Sequence, residues 1–240
     1  MKRASDGSGA VRGWIAFVVA ALCAALIGVA LALQHADRAS NPAAVAPVLV
    51  APTTTTSVAY FARPGANGTK VLTETVDPLS LAVPDSWTAP AADPLTLPGV
   101  LDQFATQAPA LAGVLQDEGQ VEQKAAIRLF AYQPASPSAF VSVISFSSPT
   151  TKPFTAASIA AIVALAKKKT SSIAVTGVQL AVGDVLQLNS SAVVQNQPVV
   201  VEILVLVAAG RTMQIEMVAE TNVAQVPPVF AQIEASLRIS

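Results

Sequence analysis

The chain opens its pattern with one long apolar run, Trp14 to Leu33, 20 residues without a charge. As a helix this run measures roughly 30 Å, the hydrocarbon thickness of a bilayer. Lys2, Arg3 and Arg12 precede it, and Asp37 offsets Arg38 beyond it. The positive-inside rule then puts residues 1–13 in the cytoplasm and the rest of the chain outside. Two readings stay open. The run is an uncleaved signal anchor, or a signal peptide cut near Ala32, where Ala30-Leu31-Ala32 fits the small-x-small rule. Its length favours the anchor. A lipoprotein signal is excluded, because Leu22 precedes Cys23 where a small residue is required.

Beyond residue 34 the pattern changes. Residues 34–66 carry Pro42, Pro47, Pro52 and Pro64 and the tract Thr53 to Thr56, with few large apolar groups. Such a segment is an extended, semi-rigid linker. A plain tether is the simplest reading of it, with a glycosylated stalk as the other.

Residues 67–240 alternate between strand and helix periods. Two short strands are expected at Lys70–Val76 and Leu79–Val83, followed by a turn at Pro84-Asp85-Ser86. Helical spacing covers Pro98–Leu115, with Pro109 kinking or dividing it. Ala125–Tyr132 and Phe140–Phe146 alternate as a strand pair. Thr155–Lys169 is the clearest helix, with Thr155 or Ser158 to cap it and Lys167-Lys168-Lys169 in its last turn. Val178–Val182, a Gly183-Asp184 turn and Leu186–Val194 follow. Val199–Ala208 and Arg211–Ala219 form a hairpin about Ala209-Gly210, and Val226–Leu237 closes the chain as a helix. Val199–Ala208 is apolar on both faces apart from Glu202, so it belongs at a sheet centre. The expected fold is α+β: one antiparallel sheet covered by helices, preceded by one transmembrane helix.

Composition narrows the chemistry. His35 and Cys23 are the only histidine and cysteine, so residues 41–240 contain neither. That excludes Ser-His-Asp and Cys-His nucleophilic sites there, His- or Cys-ligated metals, and disulfides. From Tyr60 onward 10 basic and 13 acidic residues give −3, which is no basic face for nucleic acid. Charged residues are 12% of the chain against a usual value of about 25%. No dinucleotide or phosphate-loop glycine pattern occurs, so no cofactor is expected.

Glu202, Met213, Met217 and Asp85 stand out as candidates for ligand binding. With a two-residue loop at Ala209-Gly210, Glu202 pairs with 217 and shares a face with Leu204, Leu206, Met213, Ile215 and Met217. A carboxylate at the end of an apolar face can line a pocket with a raised pKa. The blander expectation, and the favoured one, is that Glu202 reaches water near the open end of its strand. Asp85 and Trp87 follow the opening strand. They present an acid and an aromatic on a loop, or a turn cap and a core ring. Asp117, Glu118 and Glu122 match no calcium-loop spacing. Asn67 and Asn189 lie in glycosylation sequons.

The stretches LSLAVPDSW (Leu79–Trp87), LAVGDVLQL (Leu180–Leu188) and VFAQIEASLRI (Val229–Ile239) resemble, in that order, the PsbP-like family. They match its strand–Pro–acidic–x–Trp opening, its Gly-centred hairpin, and its closing helix with a last short strand. Together they frame about 160 residues of the chain. The resemblance implies an α/β/α sandwich and a non-enzymatic accessory or binding role, as in photosystem extrinsic subunits and actinobacterial extracytoplasmic proteins. The expected partners are the membrane, through Trp14–Leu33, and an envelope protein or a lipid. The alternative is a carboxylate-dependent enzyme acting on envelope glycan, which requires two acids roughly 5–9.5 Å apart across a cleft.

Overall fold

A computed structural model describes residues 60–75, 79–90, 98–121, 126–134, 138–147, 153–169, 174–194, 196–220 and 227–239. The Trp14–Leu33 run and most of the linker lie outside them. Among the described residues no helix is long and apolar enough to cross a membrane.

The described strands make two antiparallel sheets where one was expected. The first joins β1 (Tyr60–Pro64), β2 (Thr69–Glu74), β3 (Leu79–Pro84) and β10 (Arg238–Ile239) in the order β1-β2-β3-β10. The second runs β4-β5-β9-β8-β7-β6, from β4 (Ala126–Tyr132), β5 (Ala139–Ser147), β6 (Ala174–Leu180), β7 (Gly183–Val194), β8 (Gln197–Ala208) and β9 (Arg211–Glu220). Its central pair is the predicted hairpin. Ala208 faces Arg211 and Glu202 faces Met217, in the expected register. Ala209 and Gly210 have φ of 51° and 72°, the two left-handed residues of a type I′ turn.

The first strand was missed, because Tyr60–Pro64 reads as linker. Its partner is fixed by the turn Ala66-Asn67-Gly68-Thr69. Asn67 and Gly68 have φ of 54° and 71°, and the Thr69 N–H donates to the Ala66 carbonyl at 3.2 Å. Asn-Gly is the strongest short hairpin signal, and here it lay inside a sequon.

Among the described residues four helices accompany the strands: α1 (Pro98–Gln107), α2 (Pro109–Val121), α3 (Ala156–Lys169) and α4 (Pro228–Ser236). The Pro98–Leu115 helix is divided at Ala108, since Pro109 has no N–H and its ring opposes the preceding turn. At the start of α3 the two candidate caps act together. The Ser158 N–H donates to Thr155 Oγ1 at 3.2 Å, and the Thr155 N–H to Ser158 Oγ at 2.9 Å. This is the reciprocal geometry of a capping box.

Strand alternation sorts the second sheet's side chains into two cores. Leu204, Leu206, Met213, Ile215, Met217, Val141, Val143 and Leu129 face the first sheet. They pack there with Leu72, Leu79, Leu81, Val83 and Trp87, and with Phe230, Ile233 and Leu237 of the closing segment. Burying each of those last three side chains contributes roughly 1.5–3 kcal/mol, so α4 is held chiefly by its apolar stripe. On the opposite face α1 and α2 cover Phe130, Tyr132, Phe140 and Val218, while α3 covers Leu186, Leu188, Ile203 and Val205. Phe104 joins the first of these cores, with ring centroids 5.1–6.3 Å from Tyr132, Phe140 and Phe130. The result is an α+β sandwich in layers: first sheet with α4, second sheet, then the remaining helices.

Candidate functional site, a carboxyl pair beneath the last helix

Glu202 does not reach water. It is 2% exposed, on the inner face of β8, directly opposite Met217 on β9 and Asn189 on β7. The expectation of a solvated strand end fails because α4 lies over this corner of the sheet. Glu234 of α4 hydrogen-bonds Glu202 side chain to side chain. Gln187 of β7 joins them, its Nε2 donating to Glu234 Oε1 at 2.9 Å. Thr176 on the outermost strand β6 continues the chain, its hydroxyl donating to Gln187 Oε1 at 3.3 Å.

Two carboxyls in hydrogen-bond contact must share a proton. Burial pushes the Glu202 carboxyl from an ordinary 4.5 up to about 8, and its hydrogen bond and charge repulsion with Glu234 push the same way. The Gln187 amide pulls the other way, favouring the ionised form. At neutral pH Glu202 is therefore a neutral acid held against Glu234. Two acceptors here have no hydrogen-bond partner among the described residues: Glu202 Oε1 and Asn189 Oδ1, both buried. They sit on cross-strand neighbours, where Cβ atoms lie about 4.5–5.5 Å apart.

The other candidates fare differently. Met213 and Met217 are fully buried in the core between the sheets, and Met217 is the neighbour of Glu202. Asp85 is an exposed turn residue, outside this cluster. Lys70 Nζ donates to its carbonyl at 3.1 Å and also to the Trp87 carbonyl. Trp87, 4% exposed, is a core ring. Glu122 and the side chains of Asp117, Glu118 and Lys167 to Lys169 lie outside the described residues.

Sequence reasoning missed Gln187, Asn189 and Glu234. A signal for the first two existed. Asn196 has φ of 65° and marks the β7–β8 turn, and counting back from it sets Asn189 opposite Glu202. Glu234 adjoins the buried Ile233 at the border of α4's apolar stripe, so no periodicity singles it out.

Other buried acids are not part of this cluster. Glu74 and Glu216 are 4% and 2% exposed and engaged by neighbours, Gln214 Nε2 donating to Glu216 Oε2 at 3.4 Å. Glu220 is half-buried and its carboxyl is pushed up by burial, against a Leu111 backbone hydrogen bond that lowers it. Among the described residues no three His, Cys, Asp or Glu gather as a metal cluster; the set here is two carboxyls and two amides.

No protein-family model matches the chain, and no curated protein matches it. Among solved structures the chain is similar to a Bacteroides thetaiotaomicron VPI-5482 protein whose crystal structure was determined at 1.50 Å. Identity is 9% and the TM-score 0.40, over 77% of this chain and 49% of that one. The chain thus spans about half the length of that protein, and a likeness this distant carries no argument here.

Proposed function

We propose that this chain is a membrane-anchored, extracytoplasmic, non-enzymatic binding domain of the cell envelope, contacting a protein partner. The proposal keeps the Trp14–Leu33 anchor, the linker as tether, and a PsbP-like identity for the sandwich. The observation that carries it is the edge of the second sheet. Strand β6, AVTGVQL, has seven residues with no charge and no proline, and among the described residues nothing pairs with its outer side. Natural sheets usually blunt such edges with charge, proline or a bulge, because free N–H and C=O groups template another strand. An edge left plain suits a partner that adds a strand, with main-chain hydrogen bonds supplying affinity.

The glycan-enzyme alternative receives less support. The Glu202–Glu234 pair is in hydrogen-bond contact under a helix, whereas glycoside chemistry needs acids separated by roughly 5–9.5 Å to admit a sugar or a water.

The test is crosslinking of the tagged, full-length protein in cells, followed by identification of what co-purifies. The reading expects one abundant envelope protein, lost on Gln179→Lys, which places a charge on the β6 edge. Recovery of that protein undiminished with Gln179→Lys rejects the edge as the docking strand. A hydrolase or transferase activity abolished by one acid substitution rejects the non-enzymatic role.

A further inference from the structure

Among the described residues Phe61 is the most exposed large apolar side chain, at 69%. It stands on the outer face of the first sheet. Tyr60, Leu72 and Leu81 turn inward to the core, so their neighbours along each strand turn outward. Register sets Phe61 opposite Thr73, Thr73 opposite Ser80, and Ser80 opposite Arg238. That row crosses four strands and measures roughly 14 Å. Arg63, Val71 and Ala82 form the next row, and neither Val71 nor Ala82 joins a buried cluster. The described residues of this face carry two guanidiniums and no carboxylate. Arg63 is exposed. Arg238 donates from Nη1 to the Ala235 and Leu237 carbonyls at 2.9 and 2.6 Å, which fixes its head and leaves Nε and Nη2 for an outside acceptor.

We propose that this face docks the domain on an anionic phospholipid surface, with Phe61 inserted and Arg63 and Arg238 on lipid phosphates. Two arguments choose lipid as the occupant. The first is charge: an exposed ring flanked by cations, with no acid beside them, matches an anionic headgroup layer. The ring enters the acyl boundary, and the guanidiniums meet the phosphates in forked geometry. The second is place in the chain. The apolar run ends at Leu33, and residues 34–59 alone separate it from β1, the described element nearest that run. Even fully extended, a linker of this length reaches no more than roughly 90 Å. Tethering makes the encounter with the bilayer intramolecular, so a weak surface affinity suffices. The inference rests on the Trp14–Leu33 anchor of the proposed function and is independent of the β6 edge.

The full-length chain carrying Trp14→Phe and Phe61→Trp keeps an aromatic at 61 and leaves one other tryptophan, the buried Trp87. It is reconstituted into vesicles of brominated phosphatidylcholine, with or without phosphatidylglycerol. A second variant, Trp14→Phe with Val193→Trp, puts the reporter at an exposed site on β7 instead. With phosphatidylglycerol present, emission from position 61 is expected to shift to the blue and lose intensity to bromine, while position 193 stays unquenched. High salt weakens the quenching, and adding Arg63→Glu at an exposed position abolishes it. A chain that floats with the vesicles after alkaline carbonate, yet is quenched at 61 no more than at 193, overturns the docking and leaves the anchor standing. A chain that carbonate strips from the vesicles overturns the anchor and the docking together. A blue shift without bromine quenching means that protein covers the face, and overturns the lipid assignment. Equal quenching in phosphatidylcholine alone, or with Arg63→Glu, overturns the role of the guanidiniums.

Discussion

Replacing Glu202 by Gln removes one ionisation from the core and keeps its volume. In the folded chain this carboxyl titrates at about 8, and its ordinary value is 4.5. Between those values the folded state holds a proton that the unfolded state has lost, so stability falls as pH rises. Below about 4.5 both states are protonated and the group contributes nothing; the penalty is complete above about 8. Each pH unit costs about 1.4 kcal/mol, so at pH 7 the penalty is on the order of 3 kcal/mol. Gln pays none of it, and its amide still donates to Glu234. For a domain of this size that corresponds to a Tm rise of roughly 6–12 °C. The assay is thermal unfolding of wild type and Glu202→Gln, both full-length in detergent with a chelator, from about pH 4 to about pH 9. The two curves are expected to meet at acid pH and diverge as pH rises, with the variant the more stable. A variant less stable at pH 7, or a difference that does not change with pH, refutes the shared-proton reading.

Other consequences follow from the packing. Phe230→Ala empties a fully buried position between α4 and the sheets and is expected to cost about 3–5 kcal/mol in denaturant unfolding. At Gly177 an added Cβ meets Ile159 Cγ2 at 2.4 Å. Gly177→Ala is therefore expected to destabilise by about 1–3 kcal/mol, with Ile159→Ala relieving part of it in a double-mutant cycle. Ala209 holds φ of 51° in the β8–β9 turn, so Ala209→Gly is expected to stabilise by about 1 kcal/mol, read as a later denaturation midpoint. Thr155→Ala breaks the reciprocal cap of α3 and is expected to cost about 0.5–2 kcal/mol.

Much of the second sheet was legible because its signals are local. The β8–β9 register follows from a two-residue turn, and alternation then assigns Met213 and Met217 to the same face as Glu202. The division at Pro109 and the cap at Thr155 follow from backbone chemistry within one turn. Separation into two sheets was not legible, since it depends on β10 returning across the chain to pair with β3. The burial of Glu202 escaped for the same reason. Counting along β8 places the acid near a strand end, where water is the default. Only the docking of α4, more than 25 residues later, covers that end and supplies Glu234. Local pattern fixes faces; which face is sealed is a tertiary fact.

The role proposed for the domain rests on its plain β6 edge, and a photo-crosslinking residue placed there tests it most directly. Gln179 on β6 and Ala231 on α4 are both exposed, so each takes the probe without disturbing a core. In intact cells the account predicts a discrete adduct with one envelope protein from position 179 and none from position 231. Equal labelling at both positions, or no adduct at 179, contradicts it.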